Sequence, residues 1–512
     1  MAAAAADASA AAAAECSPRA ALPHVAIFPF MSKGHTIPLL HLARLLHRRR
    51  LATFTFFTTP LNAPHLRAYL ADLPHDAVHV VELPFPRDSP GLPPGVENTD
   101  QLPSMSLFLS FVGATKRLRP DFEQALGRLS PPATFLLSDA FHVWTLESAR
   151  ELGIPRLMFY GMGWYAMAVS TMVSIGRPHA GIHSEIEPFR VPGFPHIQLT
   201  KADLAPPFDD PTANSPLQDF VSEQAMATLE SQGVIVNSFY EMEAAFADHW
   251  NRNLHPKGWC VGPLCLAQPP QEVARSLRWE HAEWLDARLA AGRPVLYVSF
   301  GTQAELPAPQ LEELAAALEN SGLDFFWVLR NKEGSSSSSS VDAGYDERVA
   351  GRGVVAREWV PQMEVLSHAA IRGFLSHCGW NSVLEGVCAG VPILAWPLMA
   401  EQHLNAKLVV EELGVGLRVR TADGTREGLV RRECVEEMAR ALLMGEEGRA
   451  AAARVGKLKG GALRAMEGAG SSWSALAEMV EELCGEAGKG RVGELGPSAP
   501  NEIGRADDWS RE

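Results

Sequence analysis

Cysteine is scarce in this sequence. Seven occur in 512 residues (Cys16, Cys260, Cys265, Cys378, Cys388, Cys434 and Cys484), an odd number with no C-x-x-C pair. A disulfide framework and a structural zinc site are therefore excluded as organising devices, and a reducing compartment is expected. Positive charge is also short: 45 Lys and Arg stand against 60 Asp and Glu, a net charge of −15. That sign is wrong for holding a nucleic-acid backbone or an anionic membrane surface. Long apolar runs are missing too. The uncharged stretch from Leu157 to Gly176 contains Gly161, Gly163, Ser170, Thr171 and Ser174, so it reads as a buried strand followed by a helix rather than a membrane span. Residues 1–22 lack a basic n-region and carry Asp7 and Glu15, which suits a disordered Ala-rich tail better than a secretory signal. The expectation is a cytoplasmic monomer with no nucleic-acid partner and no integral membrane span.

What is present is an ordinary globular composition, 46% apolar and 21% charged, long enough for two large domains. Strand-like runs alternate with amphipathic helix patterns, the signature of α/β units on a parallel sheet. HVAIFPF (24–30), ATFTFFTT (52–59), VHVVELPF (78–85), TFLLSD (134–139), RLMFY (156–160) and GVIVNS (233–238) suggest a first sheet. After VGPL (261–264) the chain becomes Pro-rich, and the alternation restarts with VLYVSFG (295–301), DFFWVLR (324–330), GVVAREW (353–359), IRGFLSH (371–377) and VPILAW (391–396). The organisation read from this is a first Rossmann-like domain over 23–262, a linker over 263–290 and a second over 291–470. A final helix over 471–486 and a polar tail over 487–512 follow. Trp473, Leu476, Val480 and Leu483 give that helix its apolar face, and GSSSSSS (334–340) reads as a solvent loop.

The segment FLSHCGWNSVLEGVCAGVPILAWP, Phe374 to Pro397, is the most informative. An apolar strand ends at Ser376, a His-Cys-Gly-Trp-Asn turn follows, a helix of about two turns opens near Ser382, and Gly390 with Pro392 stops it. Helix N-termini at the ends of parallel strands attract anions, so a phosphate site is expected here. Between Trp359 and Gln402 the only Lys or Arg is Arg372; a diphosphate would be met by amides, hydroxyls and His377. A purely structural turn with a capped helix is the competing reading.

The stretch WVPQMEVLSHAAIRGFLSHCGWNSVLEGVCAGVPILAWPLMAEQ, Trp359 to Gln402, resembles the signature box of the plant family 1 UDP-sugar glycosyltransferases and has its usual length. PFMSKGHTIPLLHLARLL, SDAF (138–141), VGPL and YVSFGT (297–302) are similar to further landmarks of that family, in its order. The resemblance implies the α/β GT-B fold, two Rossmann-like domains facing across a cleft, the second holding UDP-sugar and the first the acceptor. It implies that Trp359 stacks on uracil while the Val360 backbone and the Gln362 side chain contact the nucleoside. Glu385 would accept hydrogen bonds from the ribose hydroxyls. His377, the Gly379 amide, Asn381 and Ser382 would surround the diphosphate, closed by Ser299 and Thr302. Trp380, Glu401 and Gln402 would hold the sugar, with Trp380 and Gln402 matching the glucose-type pattern and Glu401 replacing the commoner Asp. His35 would be the general base and Asp139 would orient it, giving a single in-line attack with inversion. Apart from that resemblance, a His at a strand end is more commonly a cap or a polar surface residue.

No D-x-D pair is present, His75 and His79 flank a strand start where a four-residue spacing does not converge two side chains, and no metal or cofactor is expected. UDP-glucose would act as co-substrate. Two rivals remain. G-M-G-W-Y-A (161–166) fits a dinucleotide fingerprint, but it lies after several strands, and HSEIEPFRVPGF behind it is loop-like. A non-catalytic small-molecule or nucleotide-sugar binder on the same fold is the other. The acceptor pocket would be built by loops around 84–105, 141–145, 160–166 and 181–215. Phe141, Trp144 and Trp164 are candidate lining residues with core packing as the blander role.

Overall fold

The first strand, β1 (His24–Phe28), is buried at every residue, and it lies between β2 (Thr53–Thr58) and β4 (Phe135–Asp139), parallel to both. Near-continuous apolar runs of this kind are what a sheet covered on both faces demands. With β3 (Val78–Glu82), β5 (Arg156–Tyr160), β8 (Gly233–Val236) and β9 (Gly258–Cys260) it forms a seven-stranded sheet in the order β3-β2-β1-β4-β5-β8-β9. The second sheet has six strands in the order β12-β11-β10-β13-β14-β15. They are β10 (Val295–Ser299), β11 (Asp324–Val328), β12 (Gly353–Ala356), β13 (Ile371–Ser376), β14 (Ile393–Ala395) and β15 (Gly416–Arg418). Every neighbouring pair in both sheets is parallel. The computed structural model describes residues 22–210, 212, 214–267, 281–303, 306–329, 341 and 344–489. The Ser-rich run, most of the Pro-rich boundary segment, the Ala-rich tail before Leu22 and the tail beyond Lys489 lie outside them.

Each sheet changes winding direction once. In the first the switch falls between β1 and β4, in the second between β10 and β13. Ligands of open parallel sheets bind outside the carboxyl ends of strands at such switch points. The register brings the relevant ends together: Phe28 is beside Ser138, and Ser299 is beside Ser376.

Several elements differ from the sequence reading. An antiparallel hairpin, β6 (Phe189–Val191) with β7 (Phe194–Leu199), occupies the segment read as loop. Its turn is Pro192-Gly193, with Gly193 at φ 78, and turn residues hid two short strands. Strands β9 and β15, three residues each, are too short to carry a periodic signal. Residues 282–290, expected as linker, form a helix whose Leu285 is fully buried in the main core. The helix after β13 runs Trp380–Ala389, opening two residues earlier than expected because Gly379 serves as its N-cap, and ending at Gly390 with φ 75.

The last helix, Ser471–Lys489, continues past residue 486. It buries Leu476, Met479, Val480 and Leu483 in the cluster that holds Val25, Ile27, Leu39 and Trp259 of the first half. A guanidinium lies over its aromatic end, Arg49 being 3.4 Å from the Trp473 ring centroid, and Lys257 pairs with Glu478 and Glu482. The largest apolar cluster is shared: Met158, Trp164 and Phe246 of the first half pack with Phe374, Trp380 and Val383 of the second. Buried ion pairs join the halves as well. Asp203, 7% exposed, faces Lys407 at 3.7 Å and Arg418 at 3.2 Å.

Candidate active site

His35 stands in the first turn of the helix Lys33–Arg48, just beyond β1, and Asp139 is the last residue of β4. The two flank the first switch point. His35 Nδ1 lies 2.7 Å from Asp139 Oδ2, and Oδ1 of the same carboxylate accepts the Phe141 amide at 3.0 Å. Asp139 is fully buried and His35 keeps 21% of its side chain exposed. A carboxylate at Nδ1 fixes the tautomer with the proton there and leaves Nε2 as the acceptor. Burial pulls the His35 pKa down, but the charge and hydrogen bond of Asp139 and the charge of Glu401 outweigh it, so the net movement is above 6.5. Glu401 comes from the second half. Burial raises its own pKa.

Aromatic rings surround the dyad. Phe141 lies 5.0 Å and Phe30 5.9 Å from the imidazole, and Phe141 continues to Phe108 at 5.3 Å and Phe220 at 5.8 Å. Of the candidate lining residues only Phe141 is here. Trp144 packs edge-on against Phe28 and Phe122, and Trp164 is fully buried with its indole N–H donated to Cys260 Sγ; both are core residues.

At the second switch point, Ser299 ends β10 and His377 follows β13. The His377 ring is flanked by two glycines: a Cβ at Gly301 would stand 2.8 Å from its Cε1 and Nε2, and one at Gly379 would stand 2.5 Å from Nε2. Gly301 also has φ 75, so it needs glycine twice over. Burial drives the His377 pKa down to about 4, which leaves a neutral imidazole. Between the two, Cys378 adopts φ 62, a left-handed conformation costly for a residue with a Cβ, held by the Asn405 amide on its carbonyl and by Ser376 Oγ on its N–H. The turn leads into the helix Trp380–Ala389, whose first-turn amides have no intrahelical partner and no side-chain cap, a helix N-terminus suited to an anion. Thr302 sits beyond Gly301, its hydroxyl 3.5 Å from Asp100 of the first half.

Trp359 is 67% exposed, a free aromatic face, while the Val360 side chain is buried. Glu385 sits one turn inside the helix, and burial pushes its pKa up to about 7 against the pull of the Gln362 hydrogen bond.

Four of the expected site side chains hold hydrogen bonds within the protein. Gln362 donates to Ser382 Oγ at 2.9 Å and Glu385 Oε2 at 2.6 Å and accepts from Tyr297 at 3.3 Å, so its amide ties these three side chains together. Asn381 donates to the Gly34 carbonyl at 2.8 Å, across the cleft. Trp380 is 2% exposed and donates its indole N–H to the Asn237 carbonyl at 2.7 Å, which leaves its side chain no hydrogen bond for a sugar. Gln402 accepts the Leu398 and Met399 amides on Oε1, each at 3.0 Å; only its NH₂ is left to donate.

The sequence reading missed Asn237, Glu243 and the purpose of the G-M-G turn. Its glycines make room for protein rather than for a pyrophosphate: a Cβ on Gly161 would meet His35, and one on Gly163 would meet Trp380 and Glu243. The G-M-G pattern is visible in the sequence, but nothing in it says that the glycines clear space for side chains of the cleft. Among the described residues there is no group of three metal-ligating side chains and no helix long and apolar enough to cross a membrane.

Comparison with known proteins agrees with this layout. Residues 274–438 match the family profile described as UDP-glucoronosyl and UDP-glucosyl transferase. UDP-glycosyltransferase 90A1 of Arabidopsis thaliana is 47% identical over 90% of this chain and 96% of its own length. UDP-glucose flavonoid 3-O-glucosyltransferase 7 of Fragaria ananassa is 36% identical over 90% of this chain and 96% of its own. Among solved structures, UGT73P12 of Glycyrrhiza uralensis, complexed with glycyrrhetinic acid 3-O-monoglucuronide, superposes with a TM-score of 0.81 at 31% identity, covering 92% of this chain and 97% of that one. Phytolacca americana UGT2, complexed with UDP-2fluoro-glucose and pterostilbene, gives 0.73 at 28% identity, covering 90% and 99%. The signature box, the two facing sheets and these matches together make the chain a member of the plant UDP-glycosyltransferases, on the GT-B fold.

Proposed function

We propose that this enzyme moves glucose from UDP-glucose to a hydroxyl of a small lipophilic acceptor of the phenolic, flavonoid, terpenoid or hormone class, with inversion at the anomeric carbon and without a metal. The observation that carries the proposal is the 2.7 Å contact between His35 Nδ1 and Asp139 Oδ2 at the mouth of the cleft. With Nδ1 held, Nε2 accepts the acceptor's hydroxyl proton as that oxygen attacks C1 of the sugar; the C1–O bond to UDP breaks and UDP leaves. A positioned base contributes roughly 10²–10⁴ in rate, and Asp139 stabilises the imidazolium that forms. The aromatic wall of Phe141, Phe108 and Phe220 favours a flat apolar acceptor. The neutral His377 and the helix amides bind diphosphate without a permanent cation, which lets UDP depart. A cytoplasmic monomer fits this role.

The test is turnover of UDP-glucose with a panel of phenols, flavonoids, terpenoids and hormones, with the product linkage read by NMR. A β-glucoside is expected, formed about 10²-fold or more slowly by His35→Ala with UDP affinity unchanged. Undiminished turnover by that variant would remove His35 from the mechanism. Binding of UDP-glucose with no turnover on any acceptor would instead favour a binding protein.

A further inference from the structure

The turn Gly161–Gly163, between β5 and the helix Trp164–Gly176, touches both halves of the cleft. At its first residue a Cβ would stand 3.2 Å from His35 Cε1 and 3.4 Å from Nε2; at its last it would stand 2.6 Å from Cζ2 and Cη2 of Trp380 and 2.8 Å from Glu243 Oε1. Gly163 has φ −83, so what this position requires is space. Trp380 opens the helix that carries Ser382 and Glu385. Three residues of backbone therefore bridge the base and the donor-side helix, alongside the direct bond from Asn381 to the Gly34 carbonyl.

Glu243 holds that spacer in place. Its Oε1 accepts the Tyr165 amide at 2.8 Å, at a helix N-terminus whose own N-cap residue, Gly163, has no side chain to offer. Its Oε2 accepts the Ser238 hydroxyl. Ser238 follows Asn237, whose carbonyl takes the Trp380 indole N–H. The side of Glu243 away from these donors is closed: the residue is 1% exposed and sits at a break in its own helix, φ −129 and ψ 27. A carboxyl buried without a cationic partner is costly, and this one binds the turn and the Asn237 strand end to each other.

Resting on the reading of His35 as the base, we propose that Glu243 and the Gly161–Gly163 turn are positioning residues that set the distance between His35 and the donor-side helix. They act through His35 and Trp380. A displacement of about 1 Å between base and donor can cost around 10²-fold in rate without loss of binding.

The experiment compares Gly163→Ala, Glu243→Ala and Glu243→Gln with the wild type in the full chain. It measures melting temperature, UDP affinity by calorimetry, kcat for glucosyl transfer to a phenol, and the ratio of UDP-glucose hydrolysis to transfer. Gly163→Ala and Glu243→Ala should lower kcat about tenfold or more and raise the hydrolysis ratio, with UDP affinity within about threefold. Glu243→Gln keeps an acceptor for the Tyr165 amide and should restore kcat to within about threefold of wild type. The inference is overturned if Gly163→Ala or Glu243→Ala, folded, transfers within about twofold of wild type. It is equally overturned if UDP affinity falls in step with kcat, or if Glu243→Gln is as impaired as Glu243→Ala. Should Gly163→Ala not fold, the Glu243 pair decides alone. Failure of the underlying reading is separately visible, as absent wild-type transfer or an unimpaired His35→Ala.

Discussion

Two histidines occupy matching places in the two halves and have opposite proton affinities. His35 and His377 each follow a strand at a switch point. His35 has Asp139 on Nδ1 and Glu401 nearby, and holds its proton above pH 6.5 despite burial. His377 lies between two glycines, and burial takes it to about 4 against the pull of a hydrogen bond with the Ser299 backbone. The topology supplies the location. The neighbours supply the chemistry: a carboxylate makes a base of one ring, and its absence leaves the other a neutral dipole suited to a diphosphate that must leave.

The comparison breaks most sharply at Asp139. In Asp139→Asn, burial acts on His35 unopposed by its nearest charge, so its pKa should drop below 6.5 and the acid limb of kcat/KM should move to lower pH. The plateau rate should fall about 10²-fold, and less with acidic phenols that need little base help. In the wild type the base form is reached only as pH rises through the raised pKa, so activity is lost on the acid side; a pH profile of both proteins checks the sign.

Next in size is the exposed face of Trp359 on the donor side. Trp359→Ala should weaken UDP binding by about 1–3 kcal/mol through lost stacking, with little change in kcat at saturating donor. Calorimetry showing wild-type affinity would displace the nucleotide site from this side of the cleft.

Glu385 sharpens the contrast in the opposite direction, being an acid that burial holds at about 7. Ionised, it is the stronger acceptor for the ribose hydroxyls, so UDP affinity should fall as pH drops through about 7, by about 1–3 kcal/mol in the limit. Glu385→Gln should flatten that dependence. His377, already neutral, should contribute no slope between pH 6 and 8.

The smallest effect concerns the sugar. With Gln402 Oε1 bound to the Leu398 and Met399 amides, its NH₂ alone can donate to a hydroxyl. UDP-galactose, with an axial 4-hydroxyl, should be used less well than UDP-glucose by about 1–3 kcal/mol, a ratio that Gln402→His should narrow. Competition among UDP-glucose, UDP-galactose, UDP-xylose and UDP-glucuronate measures it.

Much was determined by the sequence alone. Buried parallel strands demand unbroken apolar runs, and these placed eleven of the thirteen strands in the two large sheets and put His35 and Asp139 at adjacent strand ends. The box placed His377, Gly379 and Glu385 around one helix N-terminus, and YVSFGT placed Ser299 beside it. Only the tertiary structure decided the hydrogen-bond partners of Gln362, Asn381, Trp380 and Gln402. Amides and indoles satisfy themselves with whatever polar group is nearest, and here three of the four partners come from another element or from across the cleft. It also decided that the G-M-G turn is a spacer against His35 and Trp380, because a glycine chosen for lack of room looks identical in sequence to one chosen for a phosphate. Local spacing encodes which atoms leave the end of a strand; the packing of two halves against each other fixes what they meet.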